Sequence, residues 1–119
     1  MEQKYIATSM EMLEFIEKSP SVFHAIASSE EMLLEKGFAR LSENESWELS
    51  YGKSYYVTRN DSSMIAFQIP DREQPSGFHI VASHSDSPTF KVKEKPEMCV
   101  EKRYVVLNTE KYGGMILSS

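Results

Sequence analysis

The 119-residue sequence holds a single cysteine, Cys99, so it can close no internal disulfide and offers no cysteine pair for a metal. That usage fits a reducing compartment, and a cytoplasmic location is expected, with Cys99 itself read as a half-buried strand residue. No run approaches the roughly 18 apolar residues that a membrane span requires. The opening Met1-Glu2-Gln3-Lys4-Tyr5 also lacks the apolar stretch and small residues of a cleavable leader. Eighteen acidic against thirteen basic residues give a net charge of -5. The lysines and arginines are scattered rather than gathered into a stripe, which argues against nucleic acid as a partner. Repeats, low-complexity tracts and long polar linkers are missing too, so the length allows one compact domain or part of a larger one. What is present, 40% apolar and 26% charged residues, is the balance of a chain with a packed core.

The chain opens with helical spacing. Ile6, Met10, Leu13 and Ile16 recur at intervals of three and four, which draws an apolar stripe along a helix over residues 5–18. Ser19-Pro20 stops it and starts a second helix, with Ser19 as the cap, Pro20 in the first turn, and Phe23, Ile26, Ala27, Leu33 and Leu34 as the buried face. Gly37 stands where a left-handed cap residue belongs, and Phe38 beyond it can fold back on the last turn.

The period then changes to short β-rich runs. Ser54-Tyr55-Tyr56-Val57-Thr58-Arg59, the turn residues Asn60-Asp61-Ser62-Ser63 and the returning run of residues 64–69 predict an antiparallel hairpin with a four-residue loop, ended by Pro70. Residues 71–77 read as an exposed loop. Phe78-His79-Ile80-Val81-Ala82-Ser83 is mostly apolar without strict alternation, the pattern of a central strand covered on both faces. Residues 90–93 and 100–107 read as further strands, and residues 112–119 turn into a fresh apolar run. About five strands follow two helices, which predicts an α/β chain with part of a mixed sheet.

One constellation carries chemistry. At the end of the expected central strand, His84-Ser85-Asp86-Ser87-Pro88 sets a histidine and a carboxylate two residues apart, so in extended chain they leave from the same side. Sites in open α/β sheets form where strands give way to loops, and a metal-binding histidine commonly donates its second ring N–H to a carboxylate that fixes its tautomer. The motif alone also fits a loop histidine beside a turn-forming aspartate.

Ala82-Ser83-His84-Ser85-Asp86-Ser87-Pro88, followed by Lys91-Val92-Lys93, closely resembles the first metal-ligand segment of the aspartyl aminopeptidases. Residues 19–25, Gly37-Phe38, residues 55–63 and Tyr112-Gly113-Gly114-Met115 resemble other segments of that family in the same order, so the likeness covers essentially the whole chain. One departure is Ser85, where the family usually has threonine. The resemblance implies that residues 1–119 form the N-terminal part of a metalloaminopeptidase catalytic domain, incomplete and inactive by itself. It implies two zinc ions per active site, peptide substrates with an acidic N-terminal residue, and a homo-oligomer in the complete enzyme. By the family pattern His84 binds one zinc and Asp86 orients that histidine, while the remaining ligands and the general base lie downstream of Ser119. The competing expectation is a naturally short, non-catalytic module that binds or assembles through its unfinished sheet.

Other polar residues have plainer readings. His79 falls on the opposite face of the expected strand from His84 and reads as structural, and His24 reads as a helix-packing or loop-bonding residue. Lys91 and Lys93 mark a solvated strand face, Asn60 and Asp61 a turn, and residues 43–48 a solvated loop around Trp47.

Overall fold

The structure is a computed structural model that describes residues 2–71 and 77–114. The chain divides into two compact units, Met1–Asp86 and Ser87–Ser119. Among the described residues no helix is long and apolar enough to cross a membrane.

The first unit begins with the helical pair that the spacing predicts, α1 (Glu2–Lys18) and α2 (Val22–Glu35). Ser21, not Ser19, caps α2: it holds extended backbone at φ -142° and ψ 166°, and its carbonyl accepts the first helical bond from Ala25 at 2.9 Å. The residue before a proline is pushed out of helical geometry. Ser19 therefore closes α1 through its N–H to the Ile16 carbonyl at 3.1 Å, and the new helix starts beyond Pro20. At the other end the sequence reading holds. Phe38 N–H bonds the Leu33 carbonyl at 3.0 Å and Gly37 N–H the Leu34 carbonyl at 2.9 Å, a Schellman motif with Gly37 at φ +80°.

Three strands follow in the order β1-β2-β3. β1 (Ala39–Arg40), too short to show in the sequence pattern, runs parallel to β2 (Ser54–Arg59), and β2 pairs antiparallel with β3 (Ser63–Gln68), so this small sheet is mixed. Ser63 already pairs with Arg59, which shortens the expected hairpin loop to residues 60–62. Asn60 and Asp61 take positive φ of 52° and 50°, as in the primed turns whose twist matches that of the strands, and Ser62 N–H closes on the Arg59 carbonyl at 3.2 Å. The central strand carries the core: Tyr55, Tyr56 and Val57 are buried, as is Ile26 of α2. Trp47 lies over the hairpin rather than standing in a merely solvated loop. Its indole N–H donates to the Ser42 carbonyl at 2.7 Å and its ring stacks on Phe67 at 6.2 Å, while Glu43 pairs with Arg59 at 2.6 Å.

Two expectations fail for one physical reason. Phe23 and Leu34, expected on the buried face of α2, are more than half exposed, as is the α1 stripe of Ile6, Met10, Leu13 and Ile16. Residues 78–83 form no strand, and Val81 is 99% exposed. An apolar pattern is a demand for a covering surface, and a central strand exists only with neighbours on both edges. The described residues supply neither.

In the second unit β4 (Thr89–Val100) and β5 (Tyr104–Tyr112) form a long antiparallel hairpin. The expected strands at 90–93 and 100–107 fall inside it, but the turn lies at Glu101 and Lys102, with φ of 51° and 56°, residues that carry no turn signal. The register shifts between Val92 and Glu97, where Lys95 at φ 51° and Pro96, which has no N–H to offer the ladder, interrupt the pairing. Lys91 faces Glu110 across the strands, a favourable pair, and Cys99 is exposed rather than half-buried. Residues 72–76 of the expected loop and 115–119 of the expected apolar run lie outside the described residues.

Candidate functional site

His84 and Asp86 sit in irregular chain at the end of the first unit, not at the end of a buried strand. The structure nonetheless brings the two together. His84 Nδ1 lies 2.8 Å from the main-chain oxygen of Asp86 and 3.2 Å from its carboxylate Oδ1. Both neighbours accept, so Nδ1 carries a proton, and in the neutral ring the lone pair is on Nε2. The imidazole side chain is 80% exposed, which leaves Nε2 open to a ligand. The sequence singled out the carboxylate as the orienting group. The nearer acceptor is the backbone carbonyl of the same residue, which no side-chain motif could reveal.

Ser85 points elsewhere: its hydroxyl donates to the Ser62 carbonyl, at the tip of the β2–β3 hairpin, at 3.0 Å. The other histidines are not drawn to this place. His24 Nδ1 lies 2.7 Å from the Ser21 hydroxyl at the start of α2, a local helix-end bond. His79 lines a recess with Phe38, Tyr51, Phe67, Ile69 and Phe78.

Nearby charges serve the scaffold. Arg40 of β1 reaches Glu30 of α2 at 3.3 Å and bonds the Thr58 hydroxyl at 3.1 Å, joining helix to sheet. Its neighbour Tyr56 has its phenol pushed above the ordinary range by burial and, secondarily, by the Glu30 carboxylate. The hydrogen bond from Arg59 holds the Glu43 carboxyl below its ordinary range.

Among the described residues no group of three or more His, Cys, Asp or Glu side chains is placed to hold a metal ion. A zinc site needs about four ligands. The described residues alone therefore do not make a zinc site; at His84 they offer one oriented imidazole.

Comparison with known proteins gives the family. Residues 15–119 match the model of the family described as aminopeptidase I zinc metalloprotease (M18). A probable M18 family aminopeptidase 2 of Clostridium novyi is 47% identical over 110 residues, covering 92% of this chain and 25% of that protein. The aspartyl aminopeptidase of Dictyostelium discoideum is 43% identical over 114 residues, covering 94% and 23%. The solved S. cerevisiae mApe1 dodecamer superposes with a TM-score of 0.83 at 27% identity, covering 95% of this chain and 27% of that one. The chain thus spans about a quarter of the length of the relatives it matches. With a family match over residues 15–119 and this fold, the chain belongs to the M18 family of zinc metallopeptidases.

Proposed function

We infer that residues 1–119 contribute the first metal ligand, and part of the catalytic-domain scaffold, to a zinc-dependent aminopeptidase that removes acidic N-terminal residues from peptides in the cytoplasm. The observation that carries this reading is the His84–Asp86 pair inside the matched region, with Nδ1 engaged on an imidazole that is 80% exposed. The acidic preference rests on the name of the Dictyostelium relative, and a homo-oligomeric complete enzyme on the yeast dodecamer.

In this reading His84 would hold one of two zinc ions through Nε2. Asp86 holds the proton on Nδ1 through its carbonyl and its carboxylate, which fixes the tautomer and raises the basicity of the ring. Zinc, when bound, supplies an activated water and polarises the scissile carbonyl. One histidine cannot retain the metals, so residues 1–119 by themselves are inactive.

The test is a chimera in which residues 15–119 replace the matching quarter of the Clostridium novyi relative. It should release the acidic residue from an aspartyl p-nitroanilide faster than leucine from the leucyl analogue, lose activity to a chelator and regain it with zinc. His84→Ala should abolish that activity and lower the zinc content. A folded chimera whose His84→Ala form keeps both would overturn the assignment and favour a non-catalytic binding module.

A further inference from the structure

The hydroxyl of Ser85 joins two segments far apart in sequence, since its acceptor is the carbonyl of Ser62. Ser62 belongs to firm structure. It closes the Asn60-Asp61 turn through its N–H to Arg59, and the hairpin behind it is paired in register from Ser54↔Gln68 to Arg59↔Ser63. Tyr56, at 1% exposure, anchors that hairpin in the core. Residues 84–86 have no helix or strand of their own.

The bond and the histidine contact sit on the same three residues. The Ser85 hydroxyl fixes the chain between His84 and Asp86 at the hairpin tip, and across that fixed point the His84 imidazole meets the carbonyl and the carboxylate of Asp86.

We propose that Ser85 is a positioning residue for His84: bonded to the Ser62 carbonyl, it pins the loop to the β2–β3 turn so that the imidazole is presented in one orientation and one tautomer. The inference rests on the reading of His84 as a metal ligand. Threonine at this position keeps the hydroxyl and therefore the bond, whereas alanine loses it.

The experiment compares the 119-residue chain with its Ser85→Ala and Ser85→Thr variants, labelled with 15N at histidine and at the backbone. Ring 15N shifts report the His84 tautomer, and backbone 15N relaxation reports how firmly the loop is held. Loss of the bond should lower the order parameters of His84, Ser85 and Asp86 in Ser85→Ala from rigid values toward those of flexible chain, below about 0.6. The His84 ring should move from a single Nδ1–H form toward a mixture, the β2 and β3 amides should stay unchanged, and Ser85→Thr should behave as the parent. The proposal is overturned if Ser85→Ala leaves the ring and the loop amides unaltered, or if threonine fails to restore them. It is overturned equally if order parameters fall throughout the hairpin, which would make Ser85 a residue of the fold. None of these readouts uses metal or substrate. A failure here is thus distinct from a failure of the His84→Ala zinc test, which would leave the loop anchored but the ring without its metal.

Discussion

Gly113 gives the sharpest stability prediction. Its φ of +106° lies where side-chain-bearing residues rarely go, and a Cβ built on it would sit 2.9 Å from the Cα, 3.0 Å from the Cβ and 3.2 Å from the Cγ of Pro88. The nearest obstacle is backbone, so the neighbour cannot simply rotate away. Gly113→Ala should therefore cost about 1–3 kcal/mol in backbone strain, with the steric contact added to it. The base of the hairpin, where Thr89 pairs with Tyr112 and Lys91 with Glu110, is cut off from the rest of the ladder by the irregularity between Val92 and Glu97. A two-stranded hairpin has little stability in reserve. A loss of about 2 kcal/mol should thus raise amide exchange at the base pairs roughly 30-fold, with much smaller changes around Met98 and Val106, beyond the irregularity. Gly37→Ala is the control: its φ is +80° but nothing lies within 4 Å of the added atom, so only the left-handed backbone penalty of about 1–2 kcal/mol applies. Exchange at the base of the Gly113→Ala hairpin within about twofold of the parent would refute the argument.

Three further outcomes are expected. Tyr56→Ala, which empties the most buried side chain of the first unit, should destabilise that unit by about 3–5 kcal/mol in urea titrations; a loss below about 1 kcal/mol would show that the core is not centred on β2. The Glu43–Arg59 pair should stabilise at neutral pH and fade in acid. The folded-state pKa of Glu43 is lowered, so its contribution is fully present above the ordinary value of 4.5 and disappears as pH falls through the lowered one. Melting temperatures of the parent and Glu43→Gln should accordingly differ at pH 7 and converge toward pH 3, and a constant difference would contradict the sign. Finally, Asp86→Asn should leave the His84 tautomer in place, because the carbonyl at 2.8 Å remains, while weakening zinc binding of the chimera about tenfold through loss of the carboxylate at 3.2 Å. A switched tautomer in the ring 15N spectrum would give the orienting role to the carboxylate instead.

Local physics was legible in the residues. The α1 spacing, the Gly37-Phe38 helix end, and the aromatic run followed by Asn60-Asp61 each specify a conformation through contacts within a few residues, and each appears as read, apart from a hairpin loop one residue shorter. The nearness of His84 and Asp86 was legible as well, because residues two apart in sequence stay within reach of one another. Where neighbouring signals competed, as at Ser19-Pro20-Ser21, the sequence misplaced the cap by two residues.

What the sequence could not decide is what lies across from each element. An alternating or apolar run states which surface wants covering, but the cover comes from chain distant in sequence, so Phe23 and Leu34 of α2 and residues 78–83 were read as buried and stand exposed. The parallel pairing of the two-residue β1 with β2, the turn at Glu101-Lys102, the backbone acceptor for His84 and the bond from Ser85 to Ser62 are likewise tertiary facts. Main-chain carbonyls are identical at every position of a sequence, and only folding decides which of them meets a given side chain.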